Sequence, residues 1–113
     1  MSNRREELSA NLNAIKSRIS VAAQSAGRSA EEVTLIVVTK TFPASDAQIL
    51  YELGVRDFGE NRDQEAKPKH TEVSNKDLTW HAIGQLQTNK AKSVASWADV
   101  VHSVDRPELV NAL

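Results

Sequence analysis

A run of aliphatic and β-branched residues, Val33-Thr34-Leu35-Ile36-Val37-Val38-Thr39, closes on Lys40 and Thr41. It restricts the fold more than any other stretch. A continuous run of this kind reads as a strand buried on both faces, and such strands belong to helix-covered parallel sheets. In open and closed α/β sheets, ligands sit at the carboxyl ends of the strands, which is where Lys40 falls. A primary amine desolvated at the mouth of a buried strand is activated for attack on a carbonyl, the chemistry of a Schiff base. The commoner use of a strand-end lysine is to carry its ammonium out to water.

The rest of the chain repeats the unit that this run begins. From Arg4 to Ala26 the apolar residues Leu8, Leu12, Ile15, Ile19, Ala22 and Ala26 recur every three or four positions, making one stripe of a helix. That stripe is expected to lie on the strand that follows. Gly27 is suited to ending the helix. Ser29 to Glu32 has capping-box form but is short enough to be only a turn. After Lys40, Pro43 suits a helix start, and Ala44 or Ser45 opens a helix through Leu53 with Ile49, Leu50 and Leu53 as its buried face. Val55 to Gly59 reads as a second strand. Asn61 is a plausible N-cap for a helix toward Lys67, with Pro68 breaking it and loop continuing through Lys76. Leu78 to Gly84 reads as a third strand, followed by a helix from Thr88 or Asn89 to about Trp97. Asp99 to Asp105 is a fourth strand, and Pro107 lies in the first turn of a last helix. A helix followed by four strand–helix units implies an α/β fold with a parallel sheet and right-handed crossovers.

Two architectures fit this rhythm, a small doubly wound sheet and half of a (β/α)8 barrel. A complete barrel needs about 250 residues, and the chain has 113. Residues 1–113 are therefore expected to be one domain-sized piece: a fragment, a cleavage product or one partner of a split protein. The formal net charge of −1 argues against nucleic acid as the main partner, since phosphate binding needs a surplus of Lys and Arg. Cysteine is absent, which removes disulfides, thiolate metal sites and thiol nucleophiles, and fits a reducing cytoplasm. The polar N-terminus lacks the apolar core of a signal peptide, and no segment is long enough to span a membrane.

Five ordered blocks carry a resemblance. They are Ile36 to Thr41 with Pro43, Phe58-Gly59-Glu60-Asn61, Gln64-Glu65-Ala66, Trp80 to Lys90, and His102-Ser103-Val104-Asp105. Together they resemble the pyridoxal phosphate homeostasis protein family, from about Thr34 to the end of the chain. The resemblance implies a single barrel similar to the N-terminal domain of alanine racemase, here the N-terminal half of a (β/α)8 TIM barrel. It implies pyridoxal 5′-phosphate (PLP) held as an aldimine on Lys40, a role in intracellular supply of the cofactor, and no established catalysis. Gln85 departs from the family where many members carry a second histidine, a change expected to be tolerated. The family's phosphate cradle and the arginine facing the pyridine nitrogen would lie beyond Leu113, so occupancy by this chain alone is in doubt.

Beside Lys40, Asn61 is expected on the same rim, donating to the ring hydroxyl or lying beside the ring; its plain alternative is a helix N-cap. His81 is a candidate cofactor contact or a satisfied core histidine. Alternation sends Trp80 and His81 to opposite faces of their strand without saying which is inward. His102 is a weaker candidate, and His70 is expected to be solvated in a loop. The histidines lack metal-ligand spacing, and no Gly-rich phosphate loop is present. A half-barrel would expose two sheet edges and an apolar inner face, which the missing half or a second copy of the chain would cover. Two other readings stand beside the cofactor carrier. One is a PLP-dependent racemase or decarboxylase, which needs a second acid–base group; the only tyrosine, Tyr51, is expected on the wrong side of the sheet. The other is a self-associating half-barrel with no ligand.

Overall fold

The structure, a computed structural model, describes residues 3–73 and 77–113. A long helix α1 (Arg4–Ser25) precedes four strand–helix units: β1 (Val37–Val38), α2 (Ala44–Glu52), β2 (Asp57–Glu60), α3 (Asp63–Glu72), β3 (Thr79–Ala82), α4 (Ala91–Ala95), β4 (Val100–Val101) and α5 (Pro107–Ala112). The strands form one sheet in the order β1-β2-β3-β4, and every pairing is parallel. This order decides between the two architectures. A doubly wound sheet reverses its strand order at a switch point. An unreversed order with right-handed crossovers puts every connecting helix on the same face, as in a barrel wall.

The core lies between that face and the helices. Phe58 and Trp80, neighbours in register on β2 and β3, are both buried with ring centroids 5.4 Å apart. Ala47 and Leu50 of α2, Ala66 of α3, Val94 and Trp97 at α4, and Leu109 of α5 close over them. Burying a large apolar side chain stabilises by roughly 1.5–3 kcal/mol, so the two strand aromatics anchor the layer. Asp63 ties two helices by accepting from Ser93 Oγ and Trp97 Nε1, at 2.7 and 2.8 Å.

Several expectations need correction. The leading apolar run is not a strand buried on both faces. Only Val37 and Val38 are ladder residues, β1 is an edge strand, and Val33 and Val38 are 37% and 45% exposed. Burial on both faces needs a second layer and an outer neighbour, and the described residues supply neither. The stripe of α1 is likewise only partly used. Leu12 is buried but Ile15 is 43% exposed, because α1 rests by its first turns on α2, through the ion pairs Arg4–Asp46 and Arg5–Glu52. Beyond them the helix overhangs the free edge of β1 and leaves an apolar groove of about 470 Å³ between Leu8, Ile15, Leu35 and Phe42.

Pro68 does not break its helix. The ring removes one hydrogen bond, the donation to Gln64, while Ala66 and Lys69 on either side are buried and hold the segment in place. His70 is therefore on α3, not in a loop, with its ring edge against Trp80 at 5.7 Å. The remainder of the loop expected through Lys76 falls partly on residues 74–76, outside the described residues. Gly27 and Gly54 end α1 and α2 with φ of 71° and 105°, as glycine at a helix end permits.

Candidate functional site

The carboxyl ends of β1, β2 and β3 form one rim, and Lys40, Asn61 and the Gly84 loop follow directly from those strands. Thr39 turns its hydroxyl into the sheet–helix layer, donating to Glu60 Oε1 at 2.8 Å. Lys40 follows in the turn that leaves β1. Lys40 is exposed, so the desolvation expected of a strand end buried on both faces is not supplied by the described residues. It lines neither the groove beside α1 nor the polar cavity described next.

Asn61 lies at the end of β2 and lines a polar cavity of about 440 Å³ with Gln64, Gln85, Gln87, Lys90 and Arg106. It is not a helix N-cap. Arg62 holds the N-cap position of α3, without a side-chain capping bond. Asn61 is instead seated on Gly84: a Cβ built on Gly84 would stand 1.7 Å from Asn61 Oδ1. Gly84, two residues past β3, leaves the space that the Asn61 amide occupies.

Register settles the orientation left open between Trp80 and His81. Trp80 faces the helices, against Phe58. His81 shares the open face with Val38, Gly59 and Val100, its partners along the ladder. There it is 7% exposed, with Nε2 2.8 Å from Asp57 Oδ1 and Nδ1 3.0 Å from His102 Nε2. Since a carboxylate only accepts, Nε2 of His81 carries a hydrogen, and in the neutral ring Nδ1 accepts from His102. Beside this row, Val38 and Val100 on the same face are exposed.

A second charged group lies beneath the rim. Lys69 Nζ is 2.5 Å from Glu60 Oε1 and donates to the Thr39 carbonyl at 2.8 Å. The two side chains are 6% and 0% exposed. Glu65, one turn earlier on α3, accepts the Thr41 N–H at 3.0 Å. Sequence reasoning missed the Lys69 contacts because it stopped the helix before Pro68, and the Glu65 contact because it depends on where the turn after β1 meets α3. Run past the proline, the same sequence puts Glu65 and Lys69 on one helix face. The row Asp57–His81–His102 was also missed, although its residues follow from the register of three parallel strands. Among the described residues no group of acidic, histidine or cysteine side chains could hold a metal ion, and no helix is long and apolar enough to cross a membrane.

Tyr51 stands far from this rim in the fold: its hydroxyl donates to Asp77, just before β3, at 2.7 Å. That hydrogen bond is the main reason its phenol is pushed above the ordinary tyrosine range and Asp77 is held below the ordinary carboxylate range.

A parallel sheet in unreversed strand order, with its helices on one face, defines a class, the singly wound α/β proteins. No family model matches the chain. It is 43% identical to the pyridoxal phosphate homeostasis protein of Mycobacterium tuberculosis, covering 97% of this chain and 46% of that protein. The protein of that name from Escherichia coli is 42% identical, with 95% and 47% covered. Among solved structures, PipY of Synechococcus elongatus with PLP bound is 46% identical at a TM-score of 0.67, covering 72% of this chain and 39% of that one. A protein from Bifidobacterium adolescentis superposes over 99% of this chain and 50% of its own, at 30% identity and a TM-score of 0.84. The chain is thus a homologue of the pyridoxal phosphate homeostasis proteins, and it spans about half the length of the relatives it matches.

Proposed function

We propose that this chain contributes the lysine-bearing part of a PLP-binding protein that serves cofactor homeostasis. The observation that carries the reading is Lys40 at the carboxyl end of a parallel strand, in a chain 42–43% identical to proteins named for that role. Bound PLP supplies an aldehyde that a lysine amine can capture reversibly. Lys40 is the residue that would hold it. Asn61, lying over Gly84, would meet the ring or its hydroxyl, and His81 would act from the open face, its protons set by Asp57 and His102. These donors fit the aldehyde and ring end of the cofactor. The anchor for its phosphate is assigned to a second stretch of polypeptide, either the remainder of a longer chain or another copy, which would also cover the exposed Val38, Val100 and Val104. A cytoplasmic location goes with this reading.

The carrier reading is favoured over a racemase or decarboxylase because Tyr51 is committed to Asp77, away from the rim. The test is spectroscopic. Protein mixed with PLP is expected to gain an absorbance band near the visible edge that borohydride shifts, and Lys40→Ala is expected to lose it. A band that survives in Lys40→Ala would refute the assignment. Turnover of a D- or L-amino acid would revive the enzyme reading. Mass spectrometry of the purified sample would show whether a second polypeptide travels with the chain.

A further inference from the structure

The turn that carries Lys40 is held by more groups than a surface loop requires. Phe42 N–H donates to the Thr39 carbonyl at 3.1 Å, closing the four-residue turn Thr39-Lys40-Thr41-Phe42. Thr41 has a φ of 67° and is the one non-glycine residue with positive φ among the described residues. Positive φ at the third position alone is the mark of a type II turn, a place for glycine. A β-branched residue there is a backbone outlier that persists only when its surroundings impose it.

The surroundings that impose it come from α3 and β2. Glu65 accepts the Thr41 N–H. Lys69 donates to the same Thr39 carbonyl that receives Phe42 N–H. Thr39 is gripped further by its N–H to Gly59 at 3.0 Å and by its hydroxyl to Glu60 at 2.8 Å. Glu65 and Lys69 stand four residues apart, on one face of the helix. One helix face therefore pins both neighbours of Lys40.

We infer that Glu65 and Lys69 are positioning residues for Lys40: they keep its turn in the strained form and so fix the direction in which its amine leaves the sheet. This rests on the reading of Lys40 as the cofactor lysine. Neither residue needs to touch the cofactor. Their effect passes through the Thr39 and Thr41 backbone.

The test uses the 113-residue chain with PLP followed by borohydride. Joining the amine to the aldehyde expels one water, and hydride then fixes the link as a secondary amine whose mass is read peptide by peptide. Labelling of Lys40 is scored against Lys16 and Lys92 in the same molecule. Glu65→Ala is expected to lower relative Lys40 labelling about tenfold and to speed exchange of the Thr41 amide hydrogen by a similar factor, the effect of one hydrogen bond to a charged acceptor. Glu65→Gln, which keeps an acceptor oxygen, is expected to restore both. Thr41→Gly adopts positive φ without strain, so adding it to Glu65→Ala is expected to bring Lys40 labelling back to within about twofold of wild type. Unchanged labelling in Glu65→Ala, or no recovery with Thr41→Gly, would overturn the inference. Wild-type labelling no greater at Lys40 than at Lys16 would instead sink the cofactor-lysine reading; Thr41 amide exchange would then still report whether Glu65 holds the turn.

Discussion

Removing one half of the Lys69–Glu60 pair should be among the most damaging polar substitutions in this chain. Lys69→Met keeps most of the side-chain volume and deletes the ammonium. Glu60 is 0% exposed, and Oε2 already has no partner among the described residues. After the change, the carboxylate keeps only the Thr39 hydroxyl. Breaking a buried pair by removing one partner costs about 3–5 kcal/mol, whereas replacing both by apolar groups is often neutral. The cost here also includes the bond from Lys69 to the Thr39 carbonyl, about 1 kcal/mol if left unmade. With a urea dependence of about 1–3 kcal/mol per molar, the unfolding midpoint followed by circular dichroism should fall by about 1–6 M. The double variant Glu60→Leu with Lys69→Met should regain more than half of that loss. A midpoint shift below about 0.5 M in Lys69→Met, or a double variant weaker than the single, would show that the pair is open to water and the reasoning wrong.

Three further outcomes follow from other contacts. Gly84→Ala puts a methyl where Asn61 Oδ1 stands, so it should cost about 1–3 kcal/mol and shift the Asn61 side-chain amide resonances, while Gly27→Ala, with open space around it but a φ of 71°, should lose stability without disturbing Asn61. Glu52 is held below its ordinary carboxylate range, first by the hydrogen bond from Arg5 and next by Gln48. Its contribution is present above the unfolded value near 4.5 and is lost as pH falls through the lowered folded value; the stability gap between wild type and Glu52→Gln should accordingly shrink on acidification below pH 4.5. His102→Ala should leave His81 Nε2 protonated toward Asp57 but remove the partner of Nδ1, which nitrogen chemical shifts of the imidazole would read directly; no change in the Nδ1 shift would contradict the hydrogen-bonded row.

Much of this fold was legible because parallel α/β architecture writes itself in rhythm. Four apolar bursts alternating with helical stretches gave the element order, and Gly27, Gly54 and Pro107 marked ends that the backbone respects. What misled was burial. A run such as Val33 to Thr39 looks the same whether it is covered on both faces or stands at an edge, since composition records only what a segment tolerates. Lys40 and Asn61 were legible as rim positions because they come just past β1 and β2. The seat of Asn61 on Gly84, the row Asp57–His81–His102 and the grip of α3 on Thr39 and Thr41 were not, because each depends on register between elements some twenty or more residues apart. Pro68 hid the last of these by suggesting a helix end where only one hydrogen bond is missing.

The missing side chain of Gly84 has a consequence beyond fit. Any side chain at position 84 would run into Asn61, whose amide and backbone oxygens stand 1.7 and 2.9 Å from where a Cβ would be. Two turns from separate strand ends are thereby coupled by volume alone, and a substitution in the turn past β3 is felt in the turn past β2.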